Sequence, residues 1–281
     1  MKTIHFDSIV ESVKELCLRA ATELPGDVYS ALQMSVIKEQ SPNGRLILQQ
    51  CIENADLAKK ELLPICQDTG FAVFYVSLGC DICIEGGLIE DAINQGVAKG
   101  YKEGFLRSSI VNDPLFDRKN TSDNTPASIH LEIVAGDTLT ITLLPKGGGC
   151  ENMSSLAMLK PSEGKDGVVE FAVNTVIRAG GNPCPPVIIG LGIGGTADIA
   201  SHIAKKALLR TTGTPHPDPR YAQLEQEILQ RVNNSGNGPQ GLGGTVTALA
   251  VHVETYPCHI ASLPVAINLN CHAARKATVT L

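Results

Sequence analysis

Tryptophan is absent from the 281 residues, and Phe, Trp and Tyr together make up only 4% of them. An aromatic platform for stacking bases or sugars therefore has little to draw on. A basic face is missing too. Lys and Arg total 23 against 29 Asp and Glu, a net charge of −6, which argues against nucleic acid as a partner. No apolar run approaches the ~20 residues of a membrane span; the longest lie in stretches such as PPVIIGLGIGG. The N-terminal stretch MKTIHFDSIVESVKELC carries charges throughout and has no apolar signal core, so a cytoplasmic protein is expected. In that compartment the nine cysteines are expected as thiols or metal ligands rather than as a disulfide framework. Cys80 and Cys83 form one C-x-x-C without a second pair, so a zinc ribbon has no support.

What is present is a globular composition, 43% hydrophobic and 19% charged. Helical periodicity runs over 7–23, 26–40 and 43–60, with Pro25 and Pro42 between them. The texture then changes. FAVFYVSLG (71–79) reads as a strand and 86–104 as a helix. SIHLEIV and TLTITLL flank Ala135-Gly136-Asp137, the signal of a hairpin. A helix follows, with Asp166 at its N-cap and Gly180 just past its end. PPVIIG reads as a short strand, 196–211 and 218–233 as helices, and 233–244 as a long flexible loop. TVTALAVHVET and LPVAINLN read as two closing strands. The expected fold is mixed α/β in a single domain: a helical N-terminal layer, about 1–62, packed on an α/β core of about 63–281.

GLGIGG (190–195) satisfies G-x-G-x-x-G after a strand and before a helix, as a dinucleotide fingerprint does. The acidic residue expected ~20 positions later falls instead in the proline-broken TTGTPHPDPR, and no β-α-β pattern follows. A tight strand-to-helix turn is the better reading. Backbone N–H groups cradling an anion there is a third.

Three cysteines occupy unusual settings. Cys66 lies in PICQDTG before a strand, Cys184 in GGNPCPP between two prolines, and Cys271 in INLNCHAARK after a strand. Prolines on both sides restrict the backbone at Cys184, which suits a rigid ligand. Each is also readable as an inert thiol. Cys17 and Cys51 sit on amphipathic helix faces, and Cys258 is undecided.

CQDTG at 66–70, PKGGGCENMS at 145–154, NPCPPVIIGLGIGGTAD at 182–198 and the closing SLPVAINLNCHAARK stand in the order found in one group of enzymes. The chain resembles the iron–sulfur hydro-lyases of the class I fumarase and L-tartrate dehydratase family, and in particular the α subunit of their two-subunit form. The resemblance implies a [4Fe-4S] cluster held by Cys66, Cys184 and Cys271. Three thiolates leave one iron open to act as a Lewis acid on a substrate hydroxyl.

The same resemblance implies substrate contacts from Gln67, Asp68, Arg107, Gly148 and Gly149. Asp68 and His259 are the implied catalytic groups. Read by themselves, Gln67 and Asp68 suit an Asx turn, Arg107 a solvated surface group, Gly148 and Gly149 a flexible hairpin exit, and His259 a loop residue. Cys150 is expected not to be a ligand, and Arg275 could offset cluster charge. Larger single-chain relatives carry a further domain with more carboxylate-binding groups. The resemblance thus implies a separate β subunit, most simply in an α2β2 heterotetramer. Fumarate hydration to (S)-malate is the leading activity, because it is the commoner one in central metabolism. L-tartrate dehydration is the alternative, differing by one substrate hydroxyl. A non-catalytic iron–sulfur redox-sensing module is the alternative from outside enzymology.

Overall fold

The computed structural model describes residues 2–281, and it is mixed α/β as expected. The chain forms two compact units. One comprises 1–25, 55–148 and 275–281, the other 26–54 and 149–274. The helices of the N-terminal stretch are divided between these units.

The first unit opens with β1 (Lys2–His5) and α1 (Phe6–Thr22). α2 (Gly26–Lys38) belongs to the other unit, and the boundary falls inside α3 (Pro42–Glu61). Then come β2 (Phe71–Gly79), β3 (Ile82–Glu85), α4 (Ile89–Glu103), β4 (Ser128–Val134) and β5 (Leu139–Lys146). β1 pairs with β3 in parallel. α1 buries Ile9, Val10, Val13, Leu16 and Cys17, an i, i+3, i+4, i+7 stripe. α4 lies against α1 at Gly96 and Gly100. A Cβ on Gly96 would stand 2.6 Å from the Val13 Cβ, so only glycine admits the contact.

The strands on either side of Ala135-Gly136-Asp137 do not form the expected hairpin. β2 enters between them, parallel to β4 and antiparallel to β5. The chain's last strand, β10 (Ala277–Thr280), adds to the free edge of β5. β2 is buried without a break from Ala72 to Val76, as a strand central to its sheet should be.

The second unit contains the short helix α5 (Gly148–Glu151) from Gly149 on, then β6 (Ser155–Leu159), α6 (Gly164–Ala179), β7 (Val187–Gly194), α7 (Ala197–Ala207), α8 (Pro219–Asn233), β8 (Ala248–Tyr256) and β9 (Leu263–Asn270). Its sheet runs β6-β9-β7-β8, with β8 parallel and β9 antiparallel to β7. Gly180 ends α6 with φ 54° as expected. Asp166 does not cap it, because the helix starts two residues earlier at Gly164.

The glycines of GLGIGG serve packing. Gly190 and Gly192 lie inside β7, and a Cβ on either would stand 2.1 Å from the carbonyl of Ala204 or Ala200 in α7. They let that helix lie on the strand. Among the described residues no helix is long and apolar enough to cross a membrane.

Candidate active site

In the first unit, the turn Cys66–Gly70 leads into β2. Its start is anchored by the Ile65 N–H, which donates to the Ala21 carbonyl at the end of α1 (2.9 Å). The Cys66 thiol is half-buried and lies 3.4 Å from the Gln67 side-chain oxygen. Asp68 makes the Asx turn that its position allows, with Oδ1 accepting the Gly70 N–H at 3.0 Å. It also does more. Oδ2 accepts the Gly148 N–H at 2.8 Å from beyond the end of β5. A Cβ at Gly147 would come within 3.3 Å of Oδ2, so the glycine run allows the backbone to reach this carboxylate.

The loop carrying Arg107 is fixed to the same turn. Thr69 Oγ1 donates to the Arg107 carbonyl (3.1 Å). Asn124, fully buried with φ 61°, donates from Nδ2 to the Gly70 carbonyl (3.2 Å) and accepts the Ser109 N–H (2.8 Å). The Tyr101 hydroxyl lies 2.8 Å from the Gly70 carbonyl. Burial pushes its pKa above the ordinary phenol value; Cys17 and Asp68 act the same way, and Arg275 opposes them. The Arg107 side chain itself is exposed. Asn124, in the stretch 112–126 that is linker-like in composition, thus ties the loop that follows Arg107 to the Cys66–Gly70 turn. The sequence reading missed Tyr101 and Asn124. Their role depends on which carbonyl they meet, and residue type carries no signal of that.

Arg275 completes this group. Its side chain is 2% exposed, and Nη2 donates to the Asp68 carbonyl at 2.9 Å. Among the described residues its Nε and Nη1 meet no acceptor.

In the second unit, Cys184 and Cys271 come together. The register Ile188↔Asn270 puts the start of β7 beside the end of β9, and the two cysteines flank those ends. Cys184 is exposed, with φ 54°, and its N–H donates to the Gly181 carbonyl at 2.9 Å. Its own carbonyl accepts the His272 N–H at 3.4 Å and faces His272 Nδ1 at 3.1 Å. Burial works against a charged His272. The Cys51 hydrogen bond, the charges of Cys271 and Cys51 and the Cys184 carbonyl outweigh it and push the imidazole's pKa up to about 9. Gly149 approaches this loop, and a Cβ there would lie 3.3 Å from the Asn182 carbonyl. Cys150 is buried, with its Sγ 3.4 Å from the Pro183 carbonyl.

His259 is elsewhere. β8 runs parallel to β7 and ends at Tyr256, so the loop carrying His259 lies at the end of the sheet away from Cys184 and Cys271. The eight residues of β9 separate the two ends by about 26 Å at ~3.3 Å per residue. His259 is exposed there, its Nδ1 accepting the Ala261 N–H at 3.1 Å, beside Lys165, Arg220 and Tyr221. The structure does not bring it to the two cysteines of its own unit.

All nine cysteines are thiols. Among the described residues no three His, Cys, Asp or Glu side chains converge in a way that could hold a metal ion. A cubane takes one sulfur per iron, so its three ligands need not converge on a point. Cys66 belongs to the first unit, Cys184 and Cys271 to the second. Two observations suit the implied cluster. The three thiols are half-buried or exposed, each outside helix and strand. A buried cation with open donors is bonded to the turn that carries Cys66.

A family model described as fumarate hydratase (fumerase) matches residues 10–280. A Methanocaldococcus jannaschii protein, provisionally named L(+)-tartrate dehydratase subunit alpha, is 42% identical over 96% of each chain. Proteins named L(+)-tartrate dehydratase subunit alpha are similar as well. The one from Escherichia coli strain UTI89 is 33% identical and the one from Shigella sonnei strain Ss046 is 32% identical, each over 97% of this chain and 90% of its own. The chain belongs to the fumarate hydratase (fumerase) family of hydro-lyases.

Proposed function

We propose that this hydro-lyase chain is the α-type subunit of an L-(+)-tartrate dehydratase, completed by a separate β subunit. The observation that carries this reading is the 42% identity, over 96% of both chains, to a relative whose name specifies that substrate and that subunit. The names of the relatives thereby favour tartrate over the fumarate expected from the sequence.

In this reading Cys66, Cys184 and Cys271 hold a [4Fe-4S] cluster. When bound, the cluster supplies a Lewis-acidic iron with an open coordination position. The chain's own residues do the rest. Arg107, exposed on a loop fixed to the Asp68 turn, clamps one substrate carboxylate. Gln67 and the glycine turn of Gly148 and Gly149 contact and orient the diacid. Asp68 is the proton-transfer group. Two backbone N–H groups hold its carboxylate in a set orientation, so little reorganisation accompanies the transfer. The second carboxylate clamp comes from the β subunit, and a symmetric α2β2 assembly is the simplest arrangement.

The test is an anaerobic assay of the reconstituted α and β chains. Oxaloacetate formed from L-tartrate is followed beside malate formed from fumarate. A higher kcat/KM on L-tartrate is expected. A preference for fumarate would return the second reading, a fumarate hydratase, which the description of the family model favours.

A further inference from the structure

Two half-buried cations elsewhere in the chain have anionic partners. Arg210 meets Glu225 at 2.6 Å, and Lys205 meets Glu151 at 2.6 Å. Arg275 is more buried than either, and its single hydrogen bond goes to a neutral main-chain carbonyl. The Asp68 carboxylate nearby is taken up by the Gly70 and Gly148 N–H groups. Nε and Nη1 are left without an acceptor among the described residues. Burial strips water from a guanidinium, and one neutral acceptor does not replace it. Native chains rarely leave such donors open unless something else fills them. Arg275 is held where its open donors adjoin the Cys66–Asp68 turn.

We propose that Arg275 is an anion-binding residue whose Nε and Nη1 receive an anionic group carried at the Cys66–Asp68 turn. That group is a sulfide face of the cluster or a carboxylate of the diacid. This assignment of its sources rests on the reading above; the open donors do not. A guanidinium keeps its charge at any working pH and offers donors in fixed directions, which suits a permanent anion site better than a lysine.

The test uses the full chain, purified without cluster, as wild type, Arg275→Met and Arg275→Lys. Arg275→Met removes an uncompensated buried charge while keeping side-chain length. Its cluster-free form should melt at or above the wild-type temperature. Its anion response should be lost. Three responses are read: the rate of iron loss to a chelator after reconstitution, the melting shift with L-tartrate, and the melting shift with inorganic phosphate. In Arg275→Met at least one wild-type response should weaken by about tenfold, and Arg275→Lys should recover part of it. The iron arm points to the cluster as the source, the tartrate arm to the diacid. If only phosphate stabilises the wild type, and not Arg275→Met, the anion site stands while the proposed function falls. A wild type that binds cluster and diacid with no change in Arg275→Met leaves the function standing and removes this assignment. A cluster-free Arg275→Met chain that melts well below wild type, with anion responses intact, would make Arg275 a structural strut.

Discussion

Gln240 grips the Pro185 carbonyl with two donors, its backbone N–H at 2.8 Å and its side-chain Nε2 at 3.0 Å. The same Nε2 lies 3.1 Å from His272 Nδ1, beside Cys271. One side chain therefore bonds the loop of Cys184 and packs against His272 next to Cys271, from a stretch whose composition reads as a flexible linker. Gln240 adopts φ 54°, a conformation that costs a non-glycine residue on the order of 1 kcal/mol.

Gln240→Ala should lower stability by about 1–2 kcal/mol, because it removes the side-chain bond to the Pro185 carbonyl and keeps the strained backbone. Gln240→Gly should recover part of that by relieving the strain. Both should speed the reaction of the Cys184 thiol with an aromatic disulfide in the cluster-free chain. Urea unfolding and thiol-release kinetics measure the two effects. Unchanged thiol kinetics would mean that Gln240 does not hold the Cys184 loop.

Asp68→Asn should lower kcat by about a hundredfold or more with a smaller change in KM, since it removes a proton-transfer group and keeps the shape. The asparagine amide can still accept the Gly70 N–H, but its nitrogen cannot accept from Gly148. Two glycine substitutions grade the same contact. An added Cβ would lie 3.3 Å from Asp68 Oδ2 at Gly147 and 3.8 Å at Gly148. Gly147→Ala should therefore damage kcat more than Gly148→Ala, as steady-state kinetics of the two variants would show. The reverse order would place the reacting carboxylate elsewhere.

Much of this was legible in the chain before any fold. Strands 71–79 and 263–270 are apolar runs of strand length between turn residues, and they stand where they were read. The supposed hairpin failed because its turn signal is local, whereas β2, far earlier in the chain, competes for both strands. The glycines of GLGIGG match a cofactor pattern, and only the crossing of α7 reveals their use. At the site, motif order pointed to Cys66, Gln67 and Asp68. The partners of Asp68 come from Gly148 and Arg275, 80 and 207 residues away, a pairing that no local pattern encodes. His259 stands a strand's length from Cys271, and that spacing by itself implies opposite ends of a strand.

Glu39 predicts a pH effect. Its carboxylate is buried and accepts the backbone N–H groups of Ser41 (2.8 Å), Thr245 (2.9 Å) and Val246 (2.8 Å). Burial alone would raise its pKa. The backbone donors and the Thr245 hydroxyl outweigh that and hold it below the ordinary 4.5. A folded-state pKa below the unfolded one adds stability above the unfolded value, and that stability is lost as pH falls through the folded one. Glu39→Gln should thus cost about 2–4 kcal/mol near neutral pH, where a buried hydrogen-bonded charge is removed. The gap from wild type should narrow at pH values below 4.5. Urea midpoints of both proteins across that range give the comparison. A gap independent of pH would mean that the carboxylate's charge contributes nothing.

The last prediction separates ligands from other thiols. A cluster ligand must be a thiolate, and burial pushes the Cys17 thiol up to about 12, so it stays protonated at working pH. Cys150 is buried as well, its sulfur turned to the Pro183 carbonyl. Cys66, Cys184 and Cys271 are half-buried or exposed, outside helix and strand. Cys66→Ser, Cys184→Ser and Cys271→Ser should each abolish the thiolate-to-iron absorption near ~400 nm after anaerobic reconstitution. Cys17→Ser and Cys150→Ser should keep it, with at most a stability loss. His259→Ala should keep it too, because a full strand of β9 lies between that loop and Cys271. Cys150→Ser needs a second measurement, since it packs against the loop of Cys184 and could shift that loop. Its iron content should match wild type even if its melting temperature falls. Bleaching by Cys150→Ser with iron lost, alongside a Cys271→Ser chain that keeps its band, would overturn the assigned ligand set.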